Sequence, residues 1–356
     1  MDTVALLWVI VCLSAAFLGL GLAVGTYVYL GHIAPPDASL TKPLEVYTGL
    51  TQAAPLGCPN KDVLCDYYMS SSGYTVIPHN TINTYIVTDA ITKVVKGGAR
   101  LIELDVYAVD KKPVVGVADA KTLKMTTYNT LGFEDCCVTL GNAAFNSAVT
   151  PGYKNPFVLS LVFHTSDNAI VTQCADIMKN TLRKYMLSSE YSYQRKNLGV
   201  EPICNLMGKL VIVSGENTKG NGMDELVNMS WVSSQMRRMT YTQASQTFDH
   251  EELIEYNKRN ITLVVPDMNT TAITNKNAEI CFSYGCQWVA MAWGSLDNAM
   301  ELYTGTFSDN SFSIKPDILR YHPTTYKAPT PQSAGVSLQP KNISSPMYDY
   351  TIKSNT

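Results

Sequence analysis

Hydrophobic and polar positions follow two different patterns along most of the chain. Short runs of β-branched and aliphatic residues predict strands at 75–77, 100–109, 112–118, 156–164, 208–215, 261–266 and 286–294. Between these runs, apolar residues recur every three to four positions and predict helices at 83–97, 131–146, 167–187 and 249–259. Strands that alternate with helices are typical of parallel β–α units, and six or more such units favour a closed α/β barrel.

The N-terminal pattern differs because residues 3–31 contain no charged side chain. Its 27 apolar residues, 4–30, would form a helix of about 40 Å, long enough to span a bilayer with some tilt. A cleaved signal peptide would instead have a basic start and a shorter apolar core. We therefore predict a transmembrane anchor at residues 1–31, inserted in the bilayer through 4–30, whose orientation the sparse flanking charges leave open.

The remaining patterns divide the chain into segments. Residues 32–74 are predicted to be a stalk followed by a Cys-bearing loop, and residues 75–320 to be the barrel. The polar stretch 216–240, with several glycines and asparagines, predicts a loop or insertion. Residues 321–356 are rich in Pro, Thr, Ser and Asn and predict an extended tail.

Composition and cysteines narrow the possible functions slightly. The net charge of -3 gives no indication of nucleic-acid binding. Cys58 and Cys65 close a short loop that a disulfide would staple, whereas Cys174, Cys281 and Cys286 lie in apolar patterns typical of free buried thiols. No CxxC pair is present, so zinc is not expected. Dinucleotide and P-loop motifs, GxSxG and HExxH are absent as well.

Three separated stretches carry a family resemblance. They contain PHNTINTY (78–85), GGARLIELDVY (97–107), PVV (113–115) and NPFVLSLVFHTS (155–166), then HEELIEYNKRNITLVVP (250–266), then YGCQWVAMAWGSLDNAMELYTGTFSDNSFSIKPDILR (284–320). In this order they resemble the X and Y halves of the eukaryotic-type phosphoinositide-specific phospholipase C. The resemblance implies a TIM-type (β/α) barrel of the phospholipase C-like phosphodiesterase kind, preceded by one transmembrane helix. Its X half is expected at about 75–190, a linker at 191–245 and the Y half at 246–320.

The resemblance also implies candidate site residues. In this family one histidine stabilises the phosphorane, calcium stabilises developing charge, and a second histidine protonates the leaving group. His79 matches the first histidine, and Asn80, Glu103 and Asp105 match three oxygen ligands of calcium. Because Glu103 and Asp105 are two residues apart on a strand, their side chains are expected on one face.

Several family positions carry other residues here. The stretch 114–122 contains no second histidine, and Asp119 is the candidate proton donor nearby, which would need a raised pKa. The fourth calcium ligand is replaced by Val162. His164 matches a non-catalytic histidine of the family, so a structural role is expected.

The positions that hold phosphates and the lipid headgroup in the family are also changed. Val213 and Gly215 stand where two lysines are expected, and Leu263 and Val265 stand where an arginine and a tyrosine are expected. No substrate-binding residue of the family is therefore retained. Loss of a general acid alone typically lowers a rate by about 10²–10⁴-fold.

These observations lead to one main functional expectation and two alternatives. The main expectation is a membrane-anchored phospholipase C-like protein, catalytically impaired, with a structural role and a protein partner for its C-terminal tail. The first alternative is an active calcium-dependent phosphatidylinositol phosphodiesterase. The second is a module that binds a phosphoinositide headgroup without turnover. The architecture would fit the membrane of a large DNA virus particle.

Overall fold

A computed structural model describes residues 12–23, 37–48, 56–57, 62–119, 122, 124–267, 272–323 and 340–353. The chain divides into two units, Met1–Arg320 and Tyr321–Thr356. The first unit contains one sheet and its surrounding helices, and the second contains a hairpin.

Eleven strands form the sheet of the first unit within the described residues. They are β1 Tyr67–Gly73, β2 Leu101–Val109, β3 Lys112–Val115, β4 Leu131–Gly132, β5 Phe157–Phe163, β6 Leu210–Ser214, β7 Met229–Ser230, β8 Met236–Thr240, β9 Ile261–Val265, β10 Trp288–Ala292 and β11 Phe312–Ile314. Eight of them follow the order β7-β6-β5-β2-β1-β10-β9-β8, and every neighbouring pair in this order is parallel. The result is a nearly closed α/β barrel, because β7 and β8 form no ladder with each other in the described part of the chain.

Helices cover the outside of this sheet. The α-helices are Asp37–Leu40, Asp89–Lys96, Phe133–Ala144, Asn168–Leu182, Met223–Leu226, Tyr241–Ser245, His250–Asn257, Glu279–Ser283 and Asn298–Thr306. The 3-10 helices are Lys42–Tyr47, Leu64–Asp66, Arg183–Tyr185, Ser189–Gln194, Leu198–Val200, Ile203–Leu206 and Asp317–Leu319. The four helices predicted from sequence are confirmed, with shorter ends. Asp167, Asp249 and Asp297 each cap a helix by accepting a backbone N–H two or three residues later, which sets where those helices begin.

Side chains that point into the barrel change character along its axis. Fully buried apolar residues fill the amino-terminal end, among them Met69, Leu101, Val158 and Trp288. Toward the carboxyl ends of the strands the interior becomes polar, since Glu103 follows Leu101 on the same face of β2. Active sites of α/β barrels lie at this carboxyl end.

The first strand was predicted wrongly. The stretch 75–77 is not a strand, and the strand that occupies this place is β1, which contains three consecutive serines (Ser70–Ser72). All seven of its residues are buried because it lies in the middle of the sheet, bonded to β2 and β10. Small hydroxyl side chains fit this crowded position without producing an apolar pattern, so periodicity did not detect the strand.

The stretch 216–240 was also predicted wrongly as a loop. It contains the helix Met223–Leu226 and the strands β7 and β8. Strand β8 has the sequence MRRMT, lies at the end of the sheet order and, in the described part of the chain, pairs with β9 alone. Strand β8 carries two arginines, Arg237 and Arg238.

The second unit also departs from the prediction of an extended tail. Strands β12 (Lys341–Ser345) and β13 (Tyr348–Ile352) form an antiparallel hairpin in which Asn342 lies opposite Thr351. All five residues of β13 are exposed, including Tyr348 and Tyr350. A two-stranded hairpin of this kind is marginally stable by itself in water.

Most of the predicted membrane anchor lies outside the described residues. The part that is described, 12–23, is helical and exposed. Within the described ranges, none of the helices combines the length and the apolar character that crossing a bilayer requires.

Among the described residues, one cysteine is disulfide-bonded and several are free thiols. Cys204 is disulfide-bonded. Cys65 is a free, buried thiol whose Sγ donates to the carbonyl oxygen of Lys258 at 3.1 Å, so it does not form the short-loop disulfide with Cys58 that the sequence left open. Cys58 itself lies outside the described residues. The prediction of free buried thiols is confirmed for Cys174, Cys281 and Cys286.

Candidate functional site

A cavity of about 180 Å³ opens at the carboxyl ends of the barrel strands. It is lined by Tyr74, Glu103, Asp105, Tyr107, Val117, Val162, His164, Arg238, Thr240, Val265 and Pro266. Both carboxylates predicted on one face of β2 are therefore brought together here, as expected. Val162 lies directly opposite Asp105 on β5, so an apolar side chain stands beside the acidic group.

The carboxylate of Glu103 is fully engaged by other side chains. Arg238 Nε donates to Glu103 Oε2 at 3.0 Å, and Arg238 Nη2 donates to Glu103 Oε1 at 2.6 Å. Ser160, which faces Glu103 across the β2–β5 ladder, donates its hydroxyl to Oε2 at 2.9 Å. Burial lowers the pKa of Arg238, but the charges of Glu103 and Asp105 raise it more, so its pKa lies above the ordinary value. The guanidinium therefore stays charged and neutralises the buried glutamate.

The second carboxylate is paired with an imidazole. His164 Nε2 lies 2.7 Å from Asp105 Oδ1, and the ring of His164 stacks on the ring of Tyr107 with centroids 4.5 Å apart. Tyr107 is held in turn, because its hydroxyl accepts the backbone N–H of Ala118 at 3.2 Å. The stack keeps the imidazole edge toward Asp105. In this pair an imidazole nitrogen and a carboxylate oxygen are in hydrogen-bond contact at the cavity wall.

Tyr74 completes the wall in a strained conformation. Its φ of 48° lies in the left-handed region, which a bulky side chain rarely adopts and which costs on the order of 1 kcal/mol or more. It follows the last residue of β1, where the chain turns over the barrel mouth. Burial, and then the negative charge of Asp105, raise the pKa of Tyr74, so the phenol stays neutral.

The predicted phosphorane-stabilising histidine and its neighbour follow strand β1 in the chain. Neither His79 nor Asn80 is among the described residues that line it. His79 is half-buried, and burial lowers its pKa, which favours the neutral imidazole. Its backbone passes very close to Gly294, where a Cβ would lie 2.6 Å from the amide nitrogen of His79. The side chain of Asn80 is exposed.

Asp119 has a local structural partner. Its Oδ1 accepts the backbone N–H of Thr122 at 2.8 Å and the Thr122 hydroxyl at 2.9 Å. This arrangement stabilises the turn after β3. Asp119 is not among the cavity-lining residues either, although its neighbour Val117 is. Its role as a proton donor stays a prediction.

The positions where the family resemblance expects phosphate-binding and headgroup-binding side chains are apolar or are blocked by a neighbouring ring. Val213 and Leu263 are fully buried inside the barrel, and Val265 lines the cavity. A Cβ added to Gly215 would overlap the indole of Trp231. The space where a longer side chain at 215 would project is thus occupied by an aromatic ring.

A calcium ion does not fit the carboxylates as they are folded. The two oxygens of Glu103 accept three hydrogen bonds, and two of these come from a guanidinium that would repel a metal. The described residues contain no group of three or more His, Cys, Asp or Glu side chains placed to hold a metal ion. The ligand set of Asn80, Glu103 and Asp105 stays a prediction.

Arg238 was missed at the level of sequence. It lies in β8, which was predicted as a loop, and only the strand alternation shows that Arg238 points inward while Arg237 pairs with exposed Glu252. In the ladder, Arg238 lies directly opposite Leu263, the position where the family resemblance expects an arginine. The strand register is the signal that would have found it.

Comparison with known families gives two matches that agree with this fold. Residues 61–215 match the family described as phosphatidylinositol-specific phospholipase C, X domain. Residues 209–318 match phosphatidylinositol-specific phospholipase C, Y domain. Together the two matches extend over the whole barrel, including β1.

Solved structures with a similar fold include two proteins named PLC21. The one from L. pealei has 19% identity and a TM-score of 0.63, and the one from S. officinalis has 20% identity and a TM-score of 0.62. Each alignment covers 75% of this chain but only 39% of the PLC21 chain, so this protein spans about two fifths of their length. A calcium-dependent phosphoinositol-specific phospholipase C from Pseudomonas sp. has 13% identity, covers 65% of this chain and 90% of its own, and has a TM-score of 0.44, too weak a likeness to assign calcium here.

Proposed function

Because this chain belongs to the phosphatidylinositol-specific phospholipase C family, we propose that it is a phospholipase C-like barrel that does not perform calcium-dependent phosphoinositide hydrolysis. It serves instead as a membrane-anchored structural or partner-binding protein. The observation that carries this proposal is the pairing of both cavity carboxylates within the protein, Glu103 with Arg238 and Asp105 with His164. These contacts occupy both oxygens of Glu103 and one oxygen of Asp105.

The electrostatics of the cavity support the same proposal. Arg238 is the one arginine or lysine among the described residues that line the cavity, and its charge is paired with that of Glu103. A headgroup phosphate would meet Val265 and Pro266 rather than the charge-assisted donors that bind phosphates strongly. Trp231 fills the neighbouring position over Gly215.

The partner-binding part of the proposal rests on the two ends of the chain. The apolar residues 4–30 are the proposed contact with the bilayer, although most of them lie outside the described residues. In the second unit, Tyr348, Tyr350 and Ile352 alternate on β13 and are all exposed. Exposed tyrosines on a marginal hairpin favour a protein partner for this segment.

An activity assay tests the catalytic half of the proposal. The full chain, in nonionic detergent, is incubated with phosphatidylinositol and with its bisphosphate, in millimolar Ca²⁺ or in a chelator, beside His79→Ala. We expect no release of inositol phosphates above the level of the His79→Ala variant. Calcium-dependent release that disappears in His79→Ala would establish an active phosphodiesterase and sink the proposal.

A second candidate function, headgroup binding without turnover, is favoured by the persistence of the 180 Å³ cavity. Soluble ligands test it without interference from the proposed anchor. Calorimetric titration with myo-inositol and with inositol 1-phosphate should give heat in the native chain and none in Val162→Phe, whose larger ring fills the cavity beside Asp105. Equal binding by both proteins would place the ligand elsewhere.

A further inference from the structure

The ion pair between Arg238 and Glu103 connects opposite sides of the barrel. Glu103 lies on β2, in the middle of the sheet order, while Arg238 lies on β8, at one end of it. The two residues are 135 positions apart in the chain. Their contact is bidentate, with donor–acceptor distances of 3.0 and 2.6 Å, the geometry that gives an arginine–carboxylate pair its strength and direction.

The surroundings hold this pair in one position. The side chain of Glu103 is only 6% exposed, so its charge needs a permanent partner. Ser160 adds a third hydrogen bond to the carboxylate. On the other side, the guanidinium carbon of Arg238 lies 5.5 Å from the centre of the Trp231 ring, within the range of a cation–π contact.

The same pair also compensates for the open seam of the barrel. Strand β8 is bonded only to β9, and the β7 and β8 edges form no ladder in the part of the chain that is described. The ion pair links β8 to the central strand β2 across the interior of the barrel, and so restrains this edge strand. Arg238 therefore neutralises a buried carboxylate and also restrains the strand at the end of the sheet order.

We propose that Arg238 is a protein-borne cation that takes the place of a divalent metal ion, so that the acidic mouth of this barrel is assembled and stable without calcium. The inference deepens the proposed function and rests on it. It also gives Glu103 a role that needs no metal ion. A carboxylate retained only for shape would be costly, whereas a carboxylate that receives Arg238 stabilises the fold.

The test measures unfolding and metal response rather than turnover, so its failure is distinct from failure of the activity assay. Thermal unfolding of the full chain in nonionic detergent is followed by circular dichroism, either in about 5 mM Ca²⁺ or in a chelator. This calcium concentration exceeds the dissociation constants of weak calcium sites. The native protein should show the same midpoint in both. In Arg238→Gln the midpoint should fall by roughly 6 °C or more, because Glu103 is left buried and unpaired. Calcium should restore several degrees of that loss.

Two further variants make the outcome specific. In the double variant with Arg238→Gln and Glu103→Gln, no buried charge remains, so most of the stability should return and the calcium response should vanish. Arg237→Gln is the matched control, since it removes an equally bidentate pair with Glu252 whose side chains are 38% and 49% exposed. Its midpoint should move by no more than about 2 °C. If Arg238→Gln does not fold in chelator, folding in calcium would itself support the proposal.

Three results would overturn the inference. A native protein that is stabilised by calcium would show that a metal site is already available. An Arg238→Gln variant as stable as the native chain would show that the pair is dispensable. A destabilised Arg238→Gln variant that ignores calcium would reduce Arg238 to an ordinary ion-pair partner.

Discussion

The indole of Trp231 occupies the space that any side chain at position 215 would need. A Cβ added to Gly215 would overlap Nε1 and Cε2 of the ring. Gly215 follows strand β6, and Trp231 follows strand β7, the next strand in the sheet. Close approach, rather than an unusual φ, therefore requires glycine here.

The first prediction concerns this contact. Gly215→Ala should lower the free energy of unfolding by about 1–3 kcal/mol, because the extra methyl group forces the indole to move. In the background of Trp231→Ala, the same substitution should cost much less, and urea unfolding measured by circular dichroism gives the coupling. Costs that simply add would show that the two residues are not in contact.

Gly305 offers the matched control for that substitution. It lies in the helix Asn298–Thr306, and a Cβ there would meet nothing within 4 Å. Gly305→Ala should stabilise the protein by up to about 1 kcal/mol, since alanine favours a helix over glycine. A loss at both glycines would indicate a general sensitivity to alanine rather than the clash at Trp231.

A second prediction separates two buried cations. Arg100, fully buried, donates to the carbonyl oxygens of Ala144, Asn155 and Pro156. Arg100→Met leaves three buried acceptors without this donor and should cost about 3 kcal/mol or more. Lys315, 1% exposed, donates to one carbonyl oxygen at 3.0 Å, that of Asn257.

The corresponding substitution at Lys315 should change stability only slightly. The carbonyl oxygen of Asn257 also accepts a hydrogen bond from Gln287 Nε2 at 2.7 Å, so it stays satisfied without Lys315. Burial lowers the pKa of Lys315 to about 8, which shows that its charge is poorly accommodated. Lys315→Met should therefore change stability by no more than about 1 kcal/mol. Equal losses in the two variants, measured by urea unfolding, would contradict this account.

A third prediction concerns alkaline pH. Burial raises the pKa of several free thiols: it raises those of Cys65, Cys136, Cys174 and Cys286 to about 12, and also those of Cys137 and Cys281. The unfolded chain releases these protons near pH 9 while the folded chain keeps them. The stabilisation is thus complete below about pH 9 and is lost as pH rises towards 12, at up to about 1.4 kcal/mol per pH unit for each thiol.

Lys315 opposes this trend, because its folded pKa of about 8 lies below the unfolded value of 10.5. Between these values the unfolded state binds one proton more, and stability rises with pH. Because six thiols outweigh one amine, the free energy of unfolding falls overall as pH rises. Urea unfolding at pH 8.0, 9.0 and 9.8 measures it, and Cys174→Ala should make the slope shallower whatever its absolute stability. An unchanged slope in that variant would argue against the thiols as the cause.

The sequence by itself determined the class of the fold and the acidic pair of the site. Dense β-branched runs at 100–109 and 156–164 became β2 and β5, because strands buried on both faces need such residues. The spacing of Glu103 and Asp105 placed both on one face, since strand alternation is a local property. The family motifs at 97–107 and 284–320 also identified the barrel, because each motif is one uninterrupted stretch of sequence.

Tertiary structure decided everything that depends on distant neighbours. The serines of β1 are compatible with a strand only because β2 and β10 bury them. Arg238 looks like a surface residue in MRRMT until the β8–β9 register turns it inward and the barrel brings it 2.6 Å from Glu103. The energy of a charge depends on which partner and how much water surround it, and neither is a property of local sequence.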